Sequence, residues 1–104
     1  MAKVNWTFQA LEDLDEIAAF LASNSEKYAS YLIDLIFEWS RALEKFPYLG
    51  RMVPEVNIYS IRELAVKNYR IIYSVPDIGK VDILAVRHSP QPLSDLGFRL
   101  PEAT

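Results

Sequence analysis

Pro47 divides the chain into two parts with different hydrophobic periods. Before it, apolar residues recur every three to four positions, first over 11–21 and then over 28–46, which predicts two amphipathic helices. The polar segment 23–25 separates the two stripes and can cap the second helix. Because proline cannot continue a helix, the second one should end near Phe46. So short a link predicts an antiparallel helical hairpin.

After Pro47 the period falls to two, the spacing of half-buried strands. The three runs with this period lie near 59–66, 69–76 and 80–87. A shorter alternation, Val4, Trp6 and Phe8, precedes the first helix and predicts one more strand. The resulting order, β-α-α-β-β-β, predicts an α+β domain in which a helical hairpin packs on a mainly antiparallel four-stranded sheet.

We expect a single domain over residues 1–88, since a chain of 104 residues is enough for one core and too short for two. Residues 89–104 contain three prolines and little periodicity, which predicts a tail or a partner-docking segment. Both faces of the predicted sheet carry apolar residues, and one helical layer covers only one face. We therefore expect an uncovered apolar sheet face that binds a partner.

Composition narrows the classes of function. The chain has no cysteine, which excludes disulfides and thiolate metal sites, and nothing in it implies a cofactor or a metal. No stretch approaches the roughly 20 apolar residues of a membrane span, and no signal-peptide pattern opens the sequence, so we expect a cytoplasmic protein. The net charge of −3 argues against a protein whose whole surface binds nucleic acid.

Arginines interrupt the strands. Arg51 follows Gly50 in a loop, whereas Arg62 and Arg70 lie inside predicted strands. An unpaired charge among apolar residues is costly, so each guanidinium has to reach water, a carboxylate or a phosphate. Residues 51–70 hold four basic and two acidic side chains, whereas residues 1–48 hold four basic and eight acidic ones. These counts predict a locally basic sheet beside an acidic helical half.

Five segments, taken in this order, resemble the RelE/ParE superfamily, the toxins of type II toxin–antitoxin (plasmid stabilisation) modules. They are 6–17, the helix exit 46–51, Ile61-Arg62-Glu63-Leu64, Tyr69-Arg70-Ile71-Ile72-Tyr73, and 83–88. The resemblance extends from about Val4 to Leu93. It implies a growth-inhibiting toxin that a cognate antitoxin neutralises by a protein–protein interaction. It also implies that operator DNA is bound only through the antitoxin.

The resemblance leaves more than one activity open. ParE-like members inhibit DNA gyrase without being enzymes, and RelE-like members cut mRNA on the ribosome. We favour the ParE-like role because the chain is acidic overall, whereas a ribosome-bound nuclease has to approach rRNA, a dense polyanion. A third interpretation is a non-toxic relative that only binds the antitoxin. The oligomeric state stays open.

Five residues are predicted to contact the target or to carry chemistry. They are Arg51, Arg62, Arg70, Arg87 and His88. In RNA cleavage Arg62, Arg70 and Arg87 would hold the phosphate, and His88 would exchange protons. Glu55 or Glu63 would then be the base for the 2′-hydroxyl. Because these two arginines interrupt apolar strands, Arg62→Ala and Arg70→Ala are predicted to reduce toxicity while the antitoxin still binds; unfolding of both variants would favour a structural role.

Each of these residues also has a structural interpretation. Arg62 would then satisfy a cross-strand partner, and Arg70 would form a salt bridge with an acid of the helices. His88 would cap the sheet by hydrogen bonding, and Arg51 would neutralise carbonyls at the end of the second helix. The pattern further places Trp6 and Trp39 in the core and Asp13 and Glu16 on a solvated helix face.

Overall fold

The computed structural model describes residues 1–90 and Leu93. Strand β1 (Lys3–Trp6) leads into helices α1 (Phe8–Ala22) and α2 (Glu26–Ala42). The later strands are β2 (Arg51–Met52), β3 (Ile61–Val66), β4 (Tyr69–Asp77) and β5 (Lys80–His88). Within these described residues, no helix is long and apolar enough to cross a membrane. Most of the predicted tail, 89–104, lies outside the described residues.

Side chains at the helix ends explain where both helices begin. Thr7 Oγ1 accepts a hydrogen bond from the N–H of Ala10 at 3.3 Å, and Ser25 Oγ accepts one from Tyr28 at 3.1 Å. Each bond satisfies a backbone donor that has no partner inside the helix. The regular part of α2 stops at Ala42, and turns carry the chain onward until Pro47 prevents any further helix.

The strands of the described chain form one mixed sheet in the order β1-β5-β4-β3-β2. β1 runs parallel to β5, and every other pairing is antiparallel. The predicted α+β fold and its helical hairpin are confirmed, whereas the predicted number of four strands is corrected to five. The added strand is β2, whose Arg51 and Met52 pair with Glu63 and Arg62. Two residues are too few to show a hydrophobic period.

A β-bulge at Leu84 changes which side chains face the helices. Ile83 and Ala85 pair with consecutive residues of β4, so Leu84 is the extra residue. Ile83 and Val86 pack in the cluster below the helices, whereas Ala85 packs on the other face of the sheet. Strict alternation places Ile83, Ala85 and Arg87 on one face, and that expectation is wrong beyond Ile83.

The main core lies between the helical hairpin and the sheet. Its largest fully buried side chains are Tyr73, Leu32, Ile36, Leu43, Ile71 and Ile83. Full burial of one such aliphatic side chain stabilises the fold by about 1.5–3 kcal/mol. Trp6 packs against this core with its ring centroid 5.0 Å from that of Phe37. Trp39 is 43% exposed, so its predicted core position is wrong. The apolar stripe of α2 is wider than the sheet beneath it.

The opposite face of the sheet has a smaller apolar cluster. Val53, Ile61, Ile72, Ala85 and Leu93 are buried there, with Val56 and Ile58 packed against them. The 53–58 segment therefore folds across this face, and Asn57 adopts a left-handed φ of 56° in it, a conformation that asparagine tolerates. The expectation of an uncovered apolar sheet face is wrong for the described residues, because the chain covers it with its own loop.

Both helices carry exposed apolar side chains. Phe8, Leu11 and Phe20 of α1 and Tyr28, Tyr31 and Trp39 of α2 are each between 42% and 76% exposed. The three aromatic residues of α2 follow spacings of three and eight, so they lie on one side of the helix. We call Tyr28, Tyr31 and Trp39 the α2 aromatic stripe.

Candidate functional site

The structure divides the five predicted site residues among three places. Arg51 and Arg70 share an ion-pair network with Glu63, on the face of the sheet opposite the helices. Arg62 lies in a surface cluster with two tyrosines. Arg87 and His88 line a cleft at the end of β5, beside α1.

Glu63 is the centre of the ion-pair network. Its side chain is only 5% exposed. Oε1 accepts a hydrogen bond from Arg70 Nε at 2.7 Å, and Oε2 accepts one from Arg51 Nε at 2.5 Å. Arg51 reaches Glu63 because β2 places the two residues opposite each other in register. Both carboxylate oxygens therefore have cationic donors, which compensates the burial of the charge.

Arg70 is saturated by carboxylates of the chain itself. Nη1 and Nη2 donate to the two oxygens of Glu55 at 3.0 and 2.9 Å, while Nε and Nη2 engage Glu63. The side chain of Arg70 is 11% exposed. The hydrogen bond from Arg70 holds the pKa of Glu55 below its ordinary value, against a smaller opposing effect of desolvation. All three guanidinium nitrogens are thus already bound to carboxylates.

The structural partners differ from those expected for these two arginines. Arg70 pairs with acids of β3 and of the 53–58 segment, not with an acid of the helices. Arg51 pairs with Glu63 and does not neutralise carbonyls at the end of α2, because β2 holds it against β3. The network lines a shallow cleft of about 520 Å³, together with Ala65 and Ser89. Whether either arginine contacts a target stays a prediction.

Gly50 allows the loop before β2 to approach the sheet closely. Its N–H donates to Tyr73 Oη at 2.9 Å, in the interior of the protein. A Cβ at this position would run into the backbone carbonyl of Glu63 and the Tyr73 hydroxyl. Burial raises the pKa of the Tyr73 phenol, which therefore remains protonated. The close approach fixes the loop that carries Tyr48 and Arg51.

Arg62, Tyr48 and Tyr59 form what we call the Arg62 cluster. The guanidinium carbon of Arg62 lies 4.8 Å from the ring centroid of Tyr48 and 4.4 Å from that of Tyr59, within cation–π range. Nε donates to the Tyr59 carbonyl at 2.8 Å, and Nη1 donates to the Gly50 carbonyl at 3.3 Å. Within residues 1–90, no carboxylate forms an ion pair with Arg62. Tyr48 and Tyr59 are 44% and 67% exposed.

Arg87 and His88 line a cleft of about 650 Å³ between α1 and the end of β5. Arg87 Nε lies 4.0 Å from Asp13 Oδ2. The ring of His88 meets that of Tyr69 edge-on, with 5.4 Å between centroids. The register sets His88 opposite Tyr69 and Arg87 opposite Arg70. Their predicted contact with a target stays a prediction.

Asp13 is a site residue that the sequence pattern missed. It was expected on a solvated helix face, but it is 8% exposed. Its Oδ2 accepts from the N–H of Val86 at 2.9 Å, and its Oδ1 accepts from Gln9 Nε2 at 2.9 Å. β1 pairs with β5 only as far as Ile83, so Asp13 satisfies the strand edge beyond that point. This contact could not be predicted from residue spacing, because it joins a helix to a strand that is distant in the sequence.

Around Arg70, the described residues do not combine a free cation with a free base. Glu55 and Glu63 are both bound to Arg70, and His88 lies in the other cleft. Glu55, with its lowered pKa, is a weaker base than an ordinary carboxylate. Among residues 1–90 and Leu93, no group of three or more histidine or acidic side chains could hold a metal ion.

Comparison with known proteins shows that the chain is similar to toxins. A family model described as the ParE toxin of the type II toxin–antitoxin system parDE matches residues 4–92. The chain is 32% identical over 89 residues to the protein named "Putative toxin Y4kP" of Sinorhizobium fredii, covering 86% of this chain and 90% of that protein.

Two solved structures share the fold. The chromosomal ParDE toxin–antitoxin system from P. aeruginosa has a chain with a TM-score of 0.71 and 21% identity, covering 85% of this chain and 96% of that one. The toxin–antitoxin complex RelBE2 from Mycobacterium tuberculosis gives a TM-score of 0.58 and 20% identity, with 84% and 96% covered.

Proposed function

We propose that this chain, which belongs to the ParE toxin family of type II toxin–antitoxin systems, arrests growth by binding DNA gyrase rather than by cutting RNA. The chain is the toxin of such a pair; the target is our proposal. Both the target and the antitoxin would be met in the cytoplasm. An inhibitor of this kind needs a complementary surface and no acid–base chemistry.

The saturation of Arg70 carries this proposal. Cleavage of RNA requires a cation that is free to stabilise charge on the scissile phosphate, and a base that is free to take the 2′-hydroxyl proton. All three guanidinium nitrogens of Arg70 are hydrogen-bonded to Glu55 or Glu63. These are the two acids that the sequence analysis predicted as the base for the 2′-hydroxyl. A phosphate would have to displace a bidentate carboxylate at close range. This arrangement supports a binding role over a nuclease role.

The cognate antitoxin is the second partner that we propose. Solved relatives of this fold include a toxin–antitoxin complex, RelBE2. The α2 aromatic stripe leaves Tyr28, Tyr31 and Trp39 each more than 40% exposed, although aromatic side chains of this size gain free energy when they are buried. A segment of the antitoxin would cover the stripe, and operator DNA would be bound through the antitoxin alone.

Purified components test the proposed function directly. The chain, added to gyrase and relaxed plasmid, should block supercoiling, and the cognate antitoxin should restore it. Programmed ribosomes incubated with the same preparation should keep their mRNA intact. Ribosome-dependent mRNA cleavage without inhibition of gyrase would overturn the proposal in favour of the RelE-like activity. Absence of both effects, with normal growth on expression, would indicate a non-toxic relative.

A further inference from the structure

The contacts within the Arg62 cluster leave much of both tyrosine side chains exposed. Tyr59 contributes one face of its ring to Arg62 and leaves 67% of its surface in water, next to Tyr48 with a ring centroid 5.1 Å away. Nη2 of Arg62 makes no hydrogen bond within residues 1–90, whereas Nε and Nη1 do. The exposed rings of Tyr48 and Tyr59 therefore lie beside a guanidinium that has one nitrogen, Nη2, without a hydrogen bond to the described residues.

Hydrogen bonds within the chain position Arg62 in the cluster. Arg62 is fixed by the carbonyls of Tyr59 and Gly50, and Gly50 is itself held by the buried Tyr73 hydroxyl. Side chains that are already ordered lose little conformational entropy on binding. Tyrosine and arginine are also the residue types that most often dominate the energy of protein interfaces.

The charge around the cluster selects an acidic partner. Within 45–70 five basic residues stand against two acids, Glu55 and Glu63. Arg51 and Arg70 balance those two acids in the ion-pair network, which leaves Lys45, Arg62 and Lys67 without an ion-pair partner among the described residues. This part of the chain is therefore positive although the net charge of the whole chain is −3. A positive surface attracts an acidic segment.

We propose that the Arg62 cluster is the anchor site for an acidic segment of the target protein. A carboxylate of that segment takes the Nη2 edge of Arg62, and a neighbouring apolar side chain packs on the rings of Tyr48 and Tyr59. The inference rests on the proposed function, because the protein it names as target is gyrase.

The anchor site is separate from part of the surface that we assign to the antitoxin. Tyr31 of the α2 aromatic stripe lies 5.8 Å from Lys67 Nζ, at the turn that ends β3, whereas Arg62 lies near the start of β3. Five residues of extended strand separate the two positions by roughly 16 Å. A substitution in the cluster can therefore be scored for target binding separately from antitoxin contacts at Tyr31.

Two exposed aromatic residues provide a matched pair of variants. Tyr59 is 67% exposed in the cluster, and Phe8 is 76% exposed at the start of α1. Tyr59→Ala should weaken binding to immobilised gyrase, and inhibition of supercoiling, about tenfold or more. Phe8→Ala should stay within about twofold of the wild type. Thermal unfolding and antitoxin binding of both variants should match the wild type, since both side chains lie mostly in solvent.

Arg62→Lys is the second variant. It keeps the positive charge and removes the planar edge, so it should also weaken gyrase binding about tenfold. If the wild type inhibits gyrase while Tyr59→Ala and Arg62→Lys inhibit it equally well, the anchor site is wrong and the proposed function stands. If the wild type binds no gyrase, both the anchor site and the proposed function are wrong. Binding of a labelled single-stranded RNA that Tyr59→Ala abolishes would overturn the inference in favour of base stacking on the rings.

Discussion

Arg62 and Arg70 are alike in the sequence and opposite in the structure. Both interrupt apolar strands, yet Arg70 is bound by Glu55 and Glu63 at every nitrogen. Arg62 instead contacts two tyrosine rings and two carbonyls, and its Nη2 makes no hydrogen bond to the described residues. Arg62 precedes Glu63 by one position, so their side chains lie on opposite faces of β3. A shift of one residue therefore decides whether an arginine stabilises the fold or is available to a partner.

Removing the centre of the network should have the largest effect on stability. Glu63→Ala leaves Arg51 without its acceptor and leaves Arg70 buried with Glu55 alone, so the free energy of unfolding should fall by about 3 kcal/mol. Urea unfolding measures this loss of free energy. Glu12→Ala, an exposed acid on α1, is the control and should change stability by less than about 0.5 kcal/mol. A cost for Glu63→Ala that is no larger than the control would show that the network contributes nothing.

The outer acid of the network should have a small effect that depends on pH. The pKa of Glu55 is held below its ordinary value of 4.5 by the hydrogen bond from Arg70. A carboxylate with a lowered folded pKa contributes stability above its unfolded pKa and loses that contribution as the pH falls through the folded pKa. Since the Glu55 side chain is 47% exposed, solvent screens the pair and the contribution is a fraction of a kcal/mol.

Glu55→Gln measures that contribution against the wild type. Urea unfolding at about pH 6 and about pH 3 should show that the wild type loses more stability on acidification than Glu55→Gln does. The excess is the part supplied by the charged form of Glu55. Equal losses in the two proteins would mean that the bidentate bond to Arg70 does not form in solution.

The hydrophobic periods and Pro47 suffice to predict the helices, the later strands and their order. They miss β2 because two residues show no period, and they misplace Ala85 because the bulge at Leu84 cannot be seen in an alternation. The 53–58 segment has no period either, so its packing across the second face of the sheet could not be predicted. All three features depend on contacts between residues that are distant in the sequence, so local sequence patterns do not reveal them.

Part of the candidate site could have been predicted from the sequence. A two-residue turn between Val66 and Tyr69 fixes the register of β3 and β4, which sets Glu63 diagonal to Arg70 on one face. That ion pair could therefore have been predicted. The neighbours of Arg62 could not, because Tyr48 and Tyr59 lie in loops whose approach depends on the contact between Gly50 and Tyr73.

Arg62→Ala and Arg70→Ala, compared side by side, test the division between the two arginines most directly. The sequence alone predicts that both variants lose toxicity and still bind the antitoxin, whereas the structure separates them. Growth on induced expression and the thermal midpoint of each purified variant are the two readouts. Arg62→Ala should melt within about 3 °C of the wild type and no longer arrest growth. Arg70→Ala, which loses three charge-assisted hydrogen bonds, should melt about 10 °C lower. Growth arrest by Arg62→Ala at the level of the wild type, or an Arg70→Ala variant that is fully stable yet harmless, would contradict the account.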